Sequence, residues 1–445
     1  MEGSAAFADI EESGMRIDVE YLDKAIAWAN RKIREIEQEL KEDEVFRVWR
    51  KVYGAKADLD SPQQLGRIIF GELDVPCYSR TEKTGRPKTD VAALENVDFP
   101  FVKRLVSLKK LKKALSTYLI GIRRETVDGF LHPFFNLHLV ETFRSSSDSP
   151  NFQNVPVRDK RQAKLIRQAF IPRDGHVIVE VDYSALEFRI AAAFWEDLAM
   201  VKYASDPTLD IHRDMAAECY LLDTDEVSKD ARFHTKNSFV FPQLYGSYWG
   251  NCANNLWQNI ERSDIRTKNT DVRLYDHLKR QGINSLGSTK NPSSDSFMGH
   301  VKRVEERFNG RFSYWSEQKD VWWDQYLKRG WFPLKTGFVC PGVYSYNNLM
   351  NTPIQGPAFH IVLWSLIQIH RWLKQNKMRT VITGQIHDSL VLDTSLDELD
   401  VILCKVKEVM TVDVRRHWPW IIVPLDVEAE VGRRNWYEKE KYVFK

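Results

Sequence analysis

HVIVEVDYSALEFRIAAAFW, residues 176–195, is the stretch on which the fold turns. Its first half is dominated by Val and Ile, the composition of a buried strand, and FRIAAAFW then reads as a helix. Asp182 closes the strand. A carboxylate at the edge of such an apolar run is costly unless it is paired or holds a metal. RTVITGQIHDSLVLDT, residues 379–394, repeats the theme: apolar strand, turn, apolar strand, with His387 and Asp388 at the turn. Each Asp alone fits a turn cap. Together they match what two-metal phosphoryl transfer requires, two carboxylates converging from separate strands on ions about 3.5–4 Å apart.

Upstream, VEYLDKAIAWANRKIREIEQEL (19–40) has Leu22, Ile26, Ala29, Ile33 and Ile36 at helical spacing behind a capping Asp18. A polar stretch, SRTEKTGRPKTD (79–90), separates it from FVKRLVSLKKLKKALSTYLIGIRR (101–124), which holds eight Lys/Arg and no acid. Leu105, Leu108, Leu111, Leu115 and Leu119 share one face. Lys109, Lys110, Lys112 and Lys113 crowd the rest, either as a solvated face or as a ridge that tracks phosphates. Downstream, 247–296 is polar and mixed, 301–331 returns to helical spacing, and 354–375 is a further helix.

The 445 residues carry 64 Lys+Arg against 62 Asp+Glu, a net +2, which excludes a histone-like basic binder. Hydrophobic residues at 43% and charged residues at 28% exclude disorder as the dominant state. The 5 cysteines form no CxxC and no zinc pattern, and their scatter fits a reducing cytoplasm. No window is apolar enough for a membrane helix, and the acidic N-terminus is no signal peptide. A cytoplasmic location and no membrane partner are expected.

IRQAFIPRDGHVIVEVDYSALEFRIAAA (166–193) resembles the first palm motif of the family A, DNA polymerase I-like, DNA polymerases. TFRSSSDSPNFQNVPVR (142–158) resembles their primer–template segment, and DIHRDMAAE (210–218) the segment with a phosphate-contacting His. ARFHTKNSFVFPQLYG (231–246) resembles the fingers helix, NTPIQGPAFH (351–360) the minor-groove helix, QIHDSLVLD (385–393) the third palm motif, and EVGRRNW (430–436) the C-terminal stretch. The order is the family's.

The resemblance implies an α+β right-hand fold: thumb and connecting segment over 1–140, palm over 141–210 and 346–445, fingers over 211–345. Asp182 and Asp388, assisted by the Tyr183 carbonyl, would hold two Mg²⁺, with Mn²⁺ as a substitute. His212, Arg232 and Lys236 would grip the triphosphate of a dNTP, Phe241 and Tyr245 would stack on bases, and Glu187 would exclude a ribose 2′-hydroxyl. Arg144, Asn151, Gln153, Asn154, Asn351, Gln355 and His387 would hold primer–template DNA, with Lys109, Lys110, Lys112 and Lys113 on the thumb. The expected enzyme is a monomeric DNA-directed DNA polymerase, phage-like in its fingers, with a replisome or processivity partner left open.

Four departures from the family stand out. Ser389 replaces the usual Glu, with Glu187 as a nearby carboxylate, and Asn347 replaces an Arg. The segment from Gly246 towards Phe308 is enlarged. The fingers helix has one extra residue between Lys236 and Phe241. Because residues four apart share a helix face, a step of five requires a π-type turn to keep both pairs on one pocket. Asp9-Ile10-Glu11 has the form of an exonuclease DxE but reads as an acidic loop, so no proofreading domain is expected in this chain. A single-subunit RNA polymerase and an inactive DNA-binding subunit are the competing readings; Glu187 disfavours the first, and the retained Asp pair the second.

Overall fold

The computed structural model describes residues 2–77, 80, 81, 84–95 and 97–444. Residues 79, 82 and 83 of the expected polar stretch therefore lie outside the described residues. The elements that frame the site are, in chain order, helices α1 (Glu2–Ser13), α2 (Val19–Glu42) and α3 (Pro100–Lys113), strand β1 (His176–Tyr183), and helices α4 (Leu186–Trp195), α5 (Ile211–Tyr220) and α6 (Lys229–Thr235). Then come a hairpin of β2 (Trp331–Pro333) and β3 (Val339–Pro341), helix α7 (Tyr346–Gln375), strands β4 (Val381–Ile386) and β5 (Ser389–Ser395), and strands β6 (Val427–Gly432) and β7 (Glu440–Tyr442).

One antiparallel sheet, in the order β7-β6-β1-β5-β4, organises the molecule. Val177, Val179 and Val181 of β1 are fully or almost fully buried, as the Val/Ile run requires of a central strand. Register decides the chemistry. Asp182 lies opposite Ser389 on β5 and opposite Glu428 on β6, so it stands at the same sheet end as the β4–β5 turn that carries Asp388. Helix α7 packs across the other layer: Tyr183, at the end of β1, donates its hydroxyl to the Met410 carbonyl, 2.7 Å, and lies 3.1 Å from the Ser365 hydroxyl of α7.

A second apolar core is separate from this one. Leu40, Phe46, Trp49, Leu65, Phe101, Leu105 and Leu108 belong to it, joining the end of α2 to α3. The expected helix over 19–40 is α2, and Asp18 caps it by accepting from the Tyr21 N–H at 2.9 Å.

Several elements differ from the expected ones. The acidic N-terminus is helix α1, not a loop, because Ala6, Phe7 and Ile10 bury one face beside α7 and β4. Asp9 pairs with Lys374, and Glu11 accepts the Phe135 N–H at 2.7 Å, so both acids of the DxE-like triplet are structural. The 301–331 helix is two, Phe297–Arg311 and Ser313–Arg329, broken at a fully buried Phe312. The helix expected from residue 354 starts at Tyr346 and runs through Pro353 and Pro357, because burial of nearly every residue of its middle outweighs the missing N–H groups.

Candidate active site

Asp182 and Asp388 are brought to one cleft by strand pairing alone, and the Tyr183 N–H donates to the Asp388 carbonyl at 3.3 Å. Asp182 is open to the cleft and Asp388 half-buried. Loss of hydration, together with the charge of Asp388 and more weakly of Glu180, raises the Asp182 pKa to about 7. Desolvation, followed by the Glu187 charge, raises Asp388 to about 6. Lys236 is the cation that opposes the rise at both. Two oxygen-donor carboxylates left short of positive charge suit a hard divalent ion such as Mg²⁺, which binds through one or two carboxylates plus substrate phosphates. Among the described residues no group of three or more His, Cys, Asp or Glu is clustered to hold a metal. Ser389 does not extend the donor set, since its hydroxyl donates to the Ile386 carbonyl at 2.9 Å.

The turn carrying Asp388 is strained and braced. His387 has φ 50, a left-handed conformation unusual for a non-glycine residue. Gln385, fully buried, donates to the His387 carbonyl at 2.6 Å and accepts from the Ser145 hydroxyl at 2.6 Å. Gln153 donates to both Ser145 Oγ (2.7 Å) and Gln385 Oε1 (3.0 Å). Gln153, expected to meet DNA, ties the segment after Arg144 to the turn that carries Asp388 through its amide. Asn151 caps a short 3₁₀ turn, accepting from the Asn154 N–H at 3.1 Å. Asn154 is exposed, and its carbonyl accepts from Tyr118 at 2.8 Å.

The helix expected to belong to the fingers contains the π turn. After α6, residues Lys236–Val240 are π-helical, and the Phe241 N–H reaches the Lys236 carbonyl five residues back. Regular bonding resumes with the Tyr245 N–H on the Phe241 carbonyl, 2.9 Å. Lys236 Nζ lies 5.2 Å from the Phe241 ring centroid, and the Phe241 and Tyr245 rings stack at 5.8 Å and 5°. The Tyr245 hydroxyl donates to Glu187 Oε2 at 2.6 Å. Lys236 and Tyr245 therefore share the cleft of the Asp pair.

Glu187 is not a spare carboxylate. It pairs with Arg144 as well as accepting from Tyr245, and the Gln355 side chain reaches the same tyrosine. On the same helix as Gln355, Asn351 Oδ1 is buried without a hydrogen-bond partner.

Two expected phosphate contacts stand differently. Arg232 donates to Asp210 Oδ2 at 2.6 Å, while Asp210 Oδ1 caps α5 through the His212 and Arg213 N–H groups. His212 is buried at 3% exposure behind Phe188 and Phe241, and both its ring nitrogens lack partners. Desolvation, reinforced by Lys236 and Arg232, pushes its pKa down to about 3, so the ring is neutral. The expected thumb ridge is narrower too. Lys110 bridges Glu95 and Asp159, and Lys112 bridges Glu37 and Asp60. Lys113 is exposed, and Lys109 lines a cavity of about 990 Å³ with Arg67, Arg80, Arg86 and Lys88.

The bracing Gln385 and the Asp210–Arg232 pair were missed in the sequence. Asp210 had a signal, an Asp directly before a helix; Gln385 had none beyond its place beside the turn.

The pattern of the DNA polymerase family A matches residues 26–271 and 345–438. The unmatched stretch between them includes residues 272–308 of the segment expected to be enlarged. DNA polymerase I of Caldicellulosiruptor bescii is 28% identical over 435 residues, 97% of this chain and 46% of that protein. DNA polymerase I of Bacillus caldotenax is 28% identical over 442 residues, 98% of this chain and 45% of that protein. The chain thus spans about half the length of these relatives. Among solved structures, the POL domain of Pol1 from M. smegmatis, in complex with DNA primer-template and dNTP, superposes with a TM-score of 0.75 at 24% identity, over 98% of this chain and 70% of that one. The fold is that of a polymerase domain, and the chain belongs to DNA polymerase family A.

Proposed function

We propose that this chain is a template-directed DNA polymerase that extends a primer 3′-hydroxyl with dNTPs. The observation that carries the reading is the convergence of Asp182 and Asp388 beneath Lys236, with Glu187 and Tyr245 closing the side of the cleft. The sheet and α7 form the palm, the α2–α3 unit the thumb, and α5 through the Ser313–Arg329 helix the fingers.

Asp182 and Asp388 hold the divalent ions, which supply charge neutralisation for the primer hydroxyl and the leaving pyrophosphate. Lys236 adds fixed positive charge on the triphosphate side, and Arg232 joins it once a phosphate competes with Asp210. Phe241 and Tyr245 present a stacked aromatic face to the incoming base. Glu187, fixed from two sides, fills the space beside C2′, so a 2′-hydroxyl has no room and a ribonucleotide is disfavoured. Asn351 and Gln355 offer amide groups to minor-groove acceptors, which every correct pair presents alike. Gln385 and Gln153 keep the Asp388 turn in its strained shape.

Primer extension on a DNA template with Mg²⁺, using either dNTPs or NTPs, tests the reading. Extension with dNTPs alone supports it; extension with NTPs favours the RNA polymerase alternative, and binding without extension the inactive subunit.

A further inference from the structure

Beside Arg144 the backbone does something that needs a reason. Phe143 has φ 61, and a bulky residue held in the left-handed region is strained. Its ring faces two others. Phe338, just past the turn of the β2–β3 hairpin, lies 5.6 Å away, and His360 of α7 6.0 Å away. Phe338 stacks on His360 at 4.5 Å and 29°. His360 is only 8% exposed and is held by Thr336 of the hairpin, Nδ1 to Oγ1 2.7 Å. Phe338, in contrast, is 49% exposed.

The cluster is rigidly joined to the cleft. Gly356, next to Gln355, has no room for a side chain: an added Cβ would meet Leu334 at 3.2 Å, the Thr142 carbonyl at 3.3 Å and Phe143 at 3.7 Å. The hairpin, the 142–144 segment and α7 are thus in close contact one residue from Gln355, and His360 is five residues, about 7.5 Å, further along that helix. An aromatic ring with one face backed and much of its surface in solvent, packed on Phe143 next to Arg144 of the proposed DNA cleft, is a surface for a nucleobase. Base faces are open only in unpaired nucleotides, and the unpaired strand of a primer–template is the template overhang.

We propose that Phe338, backed by His360 and propped by Phe143, is a stacking platform for an unpaired base of the template strand. This rests on the polymerase reading and adds a specific contact to it. The test uses the full chain and two DNA probes, a blunt duplex and the same duplex with a ten-nucleotide template overhang, with 2-aminopurine placed at each overhang position in turn. Wild type is expected to bind the overhung duplex more tightly and to change the fluorescence at one or two positions. Phe338→Ala should lose that response and bind the overhung duplex about five-fold or more weakly, with blunt-duplex affinity unchanged. Phe338→Leu should behave like Ala if the ring face stacks, and like wild type if it only packs. Phe143→Gly, which relieves the left-handed strain but removes the ring that props Phe338, should weaken the overhang response in part. A wild-type chain that binds both duplexes alike, or a Phe338→Leu variant that retains the response, overturns the platform alone. A chain that binds neither duplex overturns the polymerase reading with it.

Discussion

The Phe241 N–H bonds to the carbonyl of Lys236, five residues before it, and that one long step keeps Lys236 and Tyr245 over the same cleft. In an uninterrupted α-helix the extra residue would turn the aromatic pair away from the basic pair by about 100°. Pro242 follows directly and has no N–H to restore the regular ladder. Deleting Val240 should remove the π turn. Its apolar side chain is buried, so the variant should lose stability; if it folds, dNTP affinity should change by no more than a few-fold, because Lys236 and Tyr245 return to i,i+8 spacing. Inserting an Ala after Lys236 should instead turn the aromatic pair about 100° away from the basic pair and raise the KM for dNTP at least ten-fold. Steady-state extension kinetics distinguish the two.

The carboxylate pair leads to a second expectation. Asp182→Asn and Asp388→Asn should each lower extension by about a thousand-fold or more, since each removes charge that stabilises the transition state by several kcal/mol. Primer–template affinity, measured by fluorescence anisotropy, should change little. Near-normal extension by either variant would remove the catalytic assignment.

Sugar selection is expected to depend on Glu187. With Arg144 and Tyr245 on either side, its carboxylate is held in one place. Glu187→Ala should raise the ribonucleotide-to-deoxyribonucleotide ratio of kcat/KM by about ten-fold or more. An unchanged ratio in a competition assay would mean that another group guards the 2′ position.

Stability should depend on pH at the same pair. Both folded pKa values are raised, to about 7 and about 6, so the protonated forms favour the folded state. The sign is therefore that stability from these groups is present below the unfolded pKa near 4 and is lost as pH rises through 6 to 7. Asp182→Asn should raise the Tm by about 2 °C at pH 8 and by nothing measurable at pH 4. Mg²⁺ at pH 8 should raise the wild-type Tm and leave the variant's much less changed, because binding to the folded state alone stabilises it. Differential scanning calorimetry reads both.

The lysines of α3 should divide into two kinds. Lys113→Ala and Lys109→Ala should weaken DNA binding evenly across sequences and each reduce the salt slope by about one. Lys110→Ala and Lys112→Ala, whose charges sit in internal bridges, should do less to the salt slope and more to thermal stability.

How far residues alone carried the reading differs from place to place. The strand 176–183, the turn at His387–Asp388 and the capped helix after Asp18 were legible because apolar periodicity and capping are local properties. The π turn was legible too, since residue spacing fixes the rotation between side chains on a helix. For Lys110, Lys112 and Gln153 the sequence did not report their internal partners. Each has the chemistry to hold DNA, and each is occupied by a partner 15 to 232 residues away in the chain, a pairing that no local pattern reports. His212 was placed on the right element but behind Phe241 rather than at the open surface.

The sequence by itself thus determined the central strands, the capped helix after Asp18, the two carboxylates and the family, because hydrophobic period, capping residues and ordered motifs are written along the chain; it did not determine helix α1 or the break at Phe312. Tertiary structure alone decided that Asp182 stands across from Ser389 and Glu428, that Glu187 lies between Arg144 and Tyr245, and that Phe338 rests on His360. Those neighbours come from strand register and from helix packing, which depend on the burial of the whole core rather than on any one segment's preferences.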